Sequence, residues 1–466
     1  MDEVLARLEE TDVNSKIIRD LIDGHVYERE RMIDLYQRYK TANVPIQHRK
    51  FEDSNKINRK INNDYFSEIV DTKIGYFAGN PVSYQVDKSK FKVDDILDET
   101  LYEKQIDVIE HWKRINHIED LDSETAKMAA ICGKAARLNY VDGEGELRTV
   151  PVDPWECIFI NDGSTGETQY AMRYYRVYVQ DGNKMRQAWK VEWYDDARVM
   201  FYIEDRKGNF AIDSSESRNP MLHMFGGVPL VEFPNNEERM GDAENVLELI
   251  DAYDRTLSDA NSEIEQFRLA YMVFYGVEPD EEMIQMAKKT GGFFFDSSQG
   301  GEKAEFLTKN FDDKVLENHL DRLDKSIYKF SKTPNFTDEG FSGSQSGEAR
   351  KYKMLAFESK CITTERKFTA ALQKQFKLLN TLWVAKYSSQ FDWEDISLEF
   401  SRNFPLDLEH EGDATSKLRG HISERTRLSL LSFVDDVDKE LELIRRERED
   451  MLPDLEPLID EDEDDE

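Results

Sequence analysis

Between Pro334 and Pro405 there is no proline, and between Gly347 and Gly412 there is no glycine. These two residue types cost a helix interior most, so nothing in that stretch interrupts one. The run predicts a single helix from Ser346 to about Tyr387, ~40 residues or ~60 Å at 1.5 Å per residue. A helix of that length is well beyond the globular average, and the rest of the fold has to be arranged around it. Its expected buried seam is Phe357, Cys361, Phe368, Leu372, Phe376, Leu379 and Trp383. Its charge is one-sided: Arg350, Lys351, Lys353, Lys360, Arg366, Lys367, Lys374, Lys377 and Lys386 stand against Glu348, Glu358 and Glu365.

Two more long helices precede it. Val246, Ile250, Tyr253, Leu257, Ala260, Ile264, Phe267 and Tyr271 alternate in steps of four and three, a heptad seam that predicts a helix over 242–271. Its other faces are acidic. Asp242, Glu244, Glu248, Asp251, Asp254, Asp259, Glu263 and Glu265 face only Arg255 and Arg268. The plain reading is a bundle helix with a solvated acidic side. Leu316, Leu320, Leu323, Ile327 and Phe330 repeat the seam over about 312–332. Between the two helices, 272–310 reads as a small insert. It holds a short helix over Pro279–Lys289 and strands at Phe293-Phe294-Phe295 and Ala304–Leu307. Residues 333–347 are rich in Gly, Pro and Ser and read as a mobile loop.

Residues 1–80 and 95–137 are expected to be helical, including Gln105–Trp112 and Ser123–Arg137. Gly79-Asn80-Pro81 breaks the chain before a strand at Val82–Val86. From 138 to 234, short β-branched and aromatic runs recur between Gly and Asp turns, which predicts antiparallel sheet. Its expected core is Trp189, Val191, Trp193, Phe201 and Ile203. The C-terminal stretch holds a strand at Ile396–Phe400, a helix capped at Ile422-Ser423-Glu424 and another over Asp438–Met451. Residues 388–466 carry 26 acidic and nine basic residues, and disorder is expected for 460–466. The fold class is α+β, mainly helical.

With 96 acidic against 62 basic residues, the net charge is −34. Nonspecific grip on nucleic acid or an anionic membrane needs the opposite balance. No apolar run of ~18 residues predicts a membrane span, and Met1-Asp2-Glu3 opens no signal peptide. Apolar residues at 39% argue against wholesale disorder. Cys132, Cys157 and Cys361 are odd in number and far apart, which speaks against disulfides and thiolate zinc and for a reducing setting. No phosphate loop, Rossmann glycine motif or zinc-protease motif occurs. Gly343-Ser344-Gln345-Ser346-Gly347 has Gln where a nucleophile elbow needs Ser. No enzyme activity, cofactor or metal is expected.

Three stretches are more specific. They are Lys73-x-Gly75-Tyr76-Phe77-x-Gly79-x-Pro81-Val82, Val228–Glu237 leading into Leu249–Asp254 with Ser258 and Asn261, and Phe341-Ser342-Gly343-x-x-Ser346-Gly347-x-Ala349-x-Lys351-Tyr352-Lys353. Together, over about residues 60–450, the chain resembles the portal proteins of tailed bacteriophages, most of all those of long-tailed phages of Gram-positive hosts. The resemblance implies a ring of identical subunits, usually twelve, at one capsid vertex. Such a ring forms the channel through which DNA is packaged and ejected.

It also implies a wing over 1–240, stem helices over 241–271 and 311–332 and a clip over 272–310. A tunnel loop over 333–347, the long wing helix and its return strand over 348–404, a crown over 405–459 and an acidic tail over 460–466 complete the assignment. The implied partners are other copies of the chain, double-stranded DNA, the terminase large subunit, a head-completion adaptor and the major capsid and scaffold proteins, with no membrane. The implied location is the virion, with assembly in the host cytoplasm. On that reading Phe341, Ser342, Gly343, Ser344, Gln345, Ser346 and Gly347 line the DNA path. Glu248, Asp251, Asp254, Asp259, Glu263 and Glu265 contribute to a repulsive stem wall, some of them facing a neighbouring subunit instead, which suits a channel that must not hold phosphates. Arg350, Lys351 and Lys353 either touch phosphates or pair with a neighbouring subunit. Phe293, Phe294 and Phe295 either pair across subunits or fill the clip core. Two alternatives stand beside this reading: an acidic scaffold or adaptor without a channel, and a metal-dependent nuclease.

Overall fold

The computed structural model describes residues 5–8, 11–51, 57–93, 96–97, 99–182, 184–267, 272–275, 280–290, 303–306, 313–336, 347–387, 392–403, 408–431, 434 and 437–450. Helices α1 (Ser15–Tyr39) and α2 (Tyr65–Phe77) come first, then strands β1 (Ser83–Val86), β2 (Lys92–Val93) and β3 (Ile96–Leu97). Helices α3 (Glu99–Asn116) and α4 (Ile118–Cys132) lead into β4 (Lys134–Val141), β5 (Leu147–Val152), β6 (Cys157–Asn161) and β7 (Thr168–Asp181). Next come β8 (Lys184–Tyr194), β9 (Arg198–Glu204), β10 (Phe210–Ile212), β11 (Met221–Leu222) and β12 (Leu230–Pro234). Helix α5 (Leu247–Phe267), β13 (Met272–Tyr275), α6 (Glu281–Thr290), β14 (Lys303–Phe306) and α7 (Asp313–Ser331) follow. The chain continues with α8 (Gly347–Tyr387), β15 (Ile396–Glu399), α9 (Leu408–Lys417), α10 (Glu424–Leu428) and α11 (Val437–Asp450). The chain divides into two units, Met1–Arg402 and Asn403–Glu466.

The Gly/Pro-free run forms α8, 41 residues long. All seven residues of its expected seam are at most 3% exposed. Packed on them are Phe77 of α2, Trp112 of α3 and Phe233 of β12, with ring centroids 5.6 Å apart for Trp112 and Phe376 and 5.0 Å for Phe233 and Phe368. Strand β1 pairs antiparallel with β15, from Ser83↔Glu399 to Val86↔Ile396, and so ties the early helices to the return of the long one.

The expected helix Ser123–Arg137 stops at Cys132. Gly133 takes φ 87°, the left-handed conformation that ends a helix, and its N–H reaches Ala129 O. A Cβ there would also lie 1.9 Å from Arg239 O, so no side chain fits. The chain then enters β4, which carries Arg137 in a three-stranded sheet of order β12-β4-β5. A second sheet has the order β10-β9-β8-β7-β6, with β11 also on β9.

The expected sheet core needs one correction. Val191 pairs with Tyr202 and Glu192 with Phe201, so Tyr202 and Met200 share the face of Val191 and Trp193. Phe201 packs on the opposite side, in the cluster of Cys157, Phe159 and Val199. Side chains alternate across a strand, so a one-residue error in register moves the whole set.

Helix α1 covers the Val191 face with Ile17, Ile18, Leu21 and Ile22. Asn14 caps it by accepting from the amides of Lys16 and Ile17 at 3.0 and 3.1 Å. His25, on the same side, is buried against Tyr174 and shares a 2.9 Å hydrogen bond with its hydroxyl. Burial, with Lys134 and Arg29 nearby and Glu28 opposing, lowers its pKa to about 4. The folded value lies below the unfolded ~6.5. The neutral ring's contribution is therefore intact above pH ~6.5 and is lost as pH falls toward 4. At pH 5 the loss is about 2 kcal/mol. Substituting His25→Gln is expected to flatten that part of the pH dependence in thermal denaturation. Equal slopes in both proteins between pH 7 and 5 would refute it.

In the insert, β14 pairs with β13, Met272↔Phe306 to Tyr275↔Lys303. The strand expected at Phe293–Phe295 lies outside the described residues. In the C-terminal unit, Ser423 caps α10 by accepting from the Thr426 amide at 3.2 Å. Among the described residues, no helix is long and apolar enough to cross a membrane.

Candidate functional site

Helix α5 was expected to present an acidic wall. What it presents on one side is a ladder. Asp254, Ser258 and Ser262 recur every four residues along one face. Each accepts a backbone N–H from the segment 57–64, in which every second residue from Arg59 to Asn63 meets the helix. Arg59 N donates to Ser262 Oγ at 3.0 Å, Ile61 N to Ser258 Oγ at 2.9 Å and Asn63 N to Asp254 Oδ1 at 2.8 Å. The pitches match. Four helical residues rise ~6 Å, and two extended residues advance ~6.6 Å. Asn63 Nδ2 adds a second bond to Asp254 at 2.8 Å, and Asp254 is 2% exposed. Burial raises its carboxyl pKa against the lowering effect of the Asn63 bonds.

Three of the other acids are already paired. Arg38 of α1 grips both oxygens of Asp251 at 3.0 and 3.3 Å. Arg49 holds Asp259 and Arg59 holds Glu265. At ~100° per residue, Asp251, Asp254 and Glu265 fall on the arc that faces the 57–64 strap. Glu248, Asp259 and Glu263 share another arc about 60° wide. Ile264 belongs to the heptad pattern yet is 56% exposed.

Where α5 begins, four elements meet around buried charge. Lys73 of α2 lies 2.8 Å from Asp242 Oδ2 and donates to Asn235 Oδ1 and Thr364 Oγ1, both at 2.7 Å. Lys360 of α8 lies 3.1 Å from Asp242 Oδ1 and donates to the carbonyl of Ser331, at the end of α7, at 3.0 Å. Lys73 and Asn235 both belong to the stretches that carry the portal resemblance, and the structure brings them together. A second buried cluster sits between β4 and α4. Arg137 donates to Asp122 Oδ1 at 2.7 Å, to Thr125 Oγ1 at 2.8 Å and to Leu121 O at 3.1 Å, and it lies over the Phe233 ring at 4.5 Å.

Neither cluster was read from the sequence. The Asp254-Ser258-Ser262 repeat, polar residues at core spacing, was the one readable sign of the ladder. Phe341, Ser342, Gly343, Ser344, Gln345 and Ser346 lie outside the described residues, as do Phe293, Phe294 and Phe295. Gly347 opens α8, and Arg350, Lys351 and Lys353 lie in its first turns, their side chains outside the description. Among the described residues, no group of His, Cys, Asp or Glu is set to hold a metal.

The arrangement joins elements by buried polar anchors and paired carboxylates, with acids and bases matched for cohesion. The phage portal protein family described as SPP1 Gp6-like matches residues 18–453. The portal protein of Bacillus phage SPP1 is 24% identical over 424 residues, covering 85% of this chain and 77% of that one. The portal protein of Clostridium phage phiCD119 is 23% identical over 456 residues, covering 92% and 95%. The class is therefore that of phage portal proteins, structural components of the virion rather than enzymes. Within it, the chain belongs to the SPP1 Gp6-like family.

Proposed function

We propose that the chain assembles into a closed ring at one capsid vertex, where it conducts double-stranded DNA into and out of the head and docks the packaging motor and the head-completion proteins. The observation that carries this reading is the family match, which runs nearly from end to end. The proposed regions are those set out from the sequence: wing 1–240, stem 241–271 and 311–332, clip 272–310, tunnel loop 333–347, long wing helix and return strand 348–404, crown 405–459 and acidic tail 460–466. The proposed contacts are other copies of the chain, DNA, the terminase large subunit, the adaptor and the coat and scaffold proteins, with assembly in the host cytoplasm.

The wall assignment narrows. A side chain buried under the 57–64 strap does not face a bore, which sets Asp254 aside, while Glu265 pairs with Arg59 of the strap and Asp251 with Arg38 of α1. On the other arc Asp259 is held by Arg49, and Glu248 and Glu263 stay on the proposed wall. Phe341–Gly347 remain the proposed DNA-side loop, Arg350, Lys351 and Lys353 its phosphate or subunit contacts, and Phe293–Phe295 the clip strand. The test is particle mass and shape. About twelve copies of a 54.5 kDa chain give ~650 kDa, seen as rings with a central hole in negative stain. Monomers or dimers at micromolar concentration, with scaffold protein added, would overturn the ring.

A further inference from the structure

Strand β12 ends its sheet. It pairs with β4 on one side only. The ladder is bracketed by Asn139 N to Pro229 O at 3.0 Å and Asn235 N to Gly133 O at 2.9 Å. Hydrogen-bonded and non-bonded pairs alternate in an antiparallel ladder. Val231 and Phe233 therefore turn their main-chain groups to β4, and Leu230 and Glu232 turn theirs outward. Among the described residues, neither of those outward amides nor their carbonyls has a partner. Unpaired strand edges are where another strand adds.

This edge opens into a groove of about 760 Å³. On one side the groove is bounded by α8, on the other by the turns at 166–170 and 196. Its walls carry opposite charge. Lys374 and Lys377 line the α8 side, exposed and without an ion pair among the described residues. Glu167 and Asp196 line the turn side, likewise exposed and unpaired there. The two sides correspond to the two faces of the sheet. Phe233 faces α8 through Phe368, and Leu230 faces the cluster of Cys157, Phe159 and Val199.

We propose that the groove is a strand-addition site for an extended segment of a partner protein that alternates acidic and basic residues. The segment pairs with the free edge at Leu230 and Glu232, and its alternate side chains point to opposite faces. Carboxylates turned toward α8 meet Lys374 and Lys377. Ammonium or guanidinium groups turned the other way meet Glu167 and Asp196. Charge selects the pattern, and main-chain bonds hold it.

The test uses the full chain and a fluorescent probe of four Glu-Lys repeats, ~8 residues or ~26 Å when extended, read by fluorescence anisotropy. The probe is neutral overall, so the chain's net charge does not attract it. The expected result is saturable binding. A block isomer with the Glu residues first and the Lys residues last should bind at least ~10-fold more weakly, as should K374E/K377E with unchanged circular dichroism. Backbone methylation of the Glu amides and of the Lys amides gives two further probes. One of them should lose at least ~10-fold and the other should not, because only one edge of an added strand meets β12. No saturable binding overturns the proposal. So does equal binding of the block isomer, indifference to both methylations, or displacement by a short DNA duplex that also needs Lys374 and Lys377.

Discussion

Replacing Asp242 with alanine is expected to cost about 3–5 kcal/mol, the range for removing one partner of a buried ion pair. Asp242 is 4% exposed and lies between two ammonium groups, Lys73 at 2.8 Å and Lys360 at 3.1 Å. Burial pushes its carboxyl up, and the two lysines more than reverse that, so it stays below the usual carboxylate range. Burial pushes Lys360 down even with the carboxylate present. Without Asp242 the two cations face each other in a dry site, where an unpaired charge costs most. Asp242→Asn should lose nearly as much, because it keeps the shape and removes the charge. A Lys73→Met, Asp242→Leu, Lys360→Met triple variant should recover a large part, because no charge is left to strand. Urea denaturation of the three variants reads all of this. A D242A protein within ~1 kcal/mol of the parent would show the cluster to be solvated. The loss is a large share of a typical 5–15 kcal/mol, so low soluble yield is part of the expected phenotype.

The same site marks the limit of what the sequence made legible. Local signals carried far. The Gly/Pro-free run located α8 to within one residue, and every residue of its seam is buried, because 3.6-residue periodicity is a one-dimensional pattern. The Ser423 cap was readable for the same reason. Features decided by tertiary pairing were not. The acids of α5 read as an unopposed face because their partners, Arg38, Arg49 and Arg59, come from a segment some 200 residues earlier. Heptad spacing marked Ile264 as seam, yet its position is exposed in the subunit. Alternation in one strand leaves the face of Phe201 and Ile203 open, and the observed register puts them on the face opposite to that of Val191 and Trp193, because register belongs to the pair of strands. Lys73 and Asn235 stood out only through family resemblance. Their meeting with Asp242 and Lys360 needs the packing of α2 on α8.

The second large effect is expected at Arg137, and it differs from the first in its response to pH. Arg137→Met leaves Asp122 buried with Tyr84, whose hydroxyl donates to the carboxylate. At pH 8 the cost is expected to be about 3–5 kcal/mol. An acid, however, has an escape, since it takes up a proton and becomes neutral. Burial already raises the Asp122 pKa, with Arg137 as the main opposing influence. Removing Arg137 raises it further. A folded pKa above the unfolded ~3.9 gives stability that is present at low pH and lost as pH rises through the folded value. The gap between parent and variant should therefore widen from pH 5 to pH 8. Adding Asp122→Asn, which keeps an acceptor for Tyr84 and removes the charge, should close much of the gap at pH 8 and little of it at pH 5. Chemical denaturation at the two pH values separates the causes. A gap that is constant with pH and untouched by Asp122→Asn would assign the loss to the stacking of the guanidinium on Phe233, 4.5 Å away.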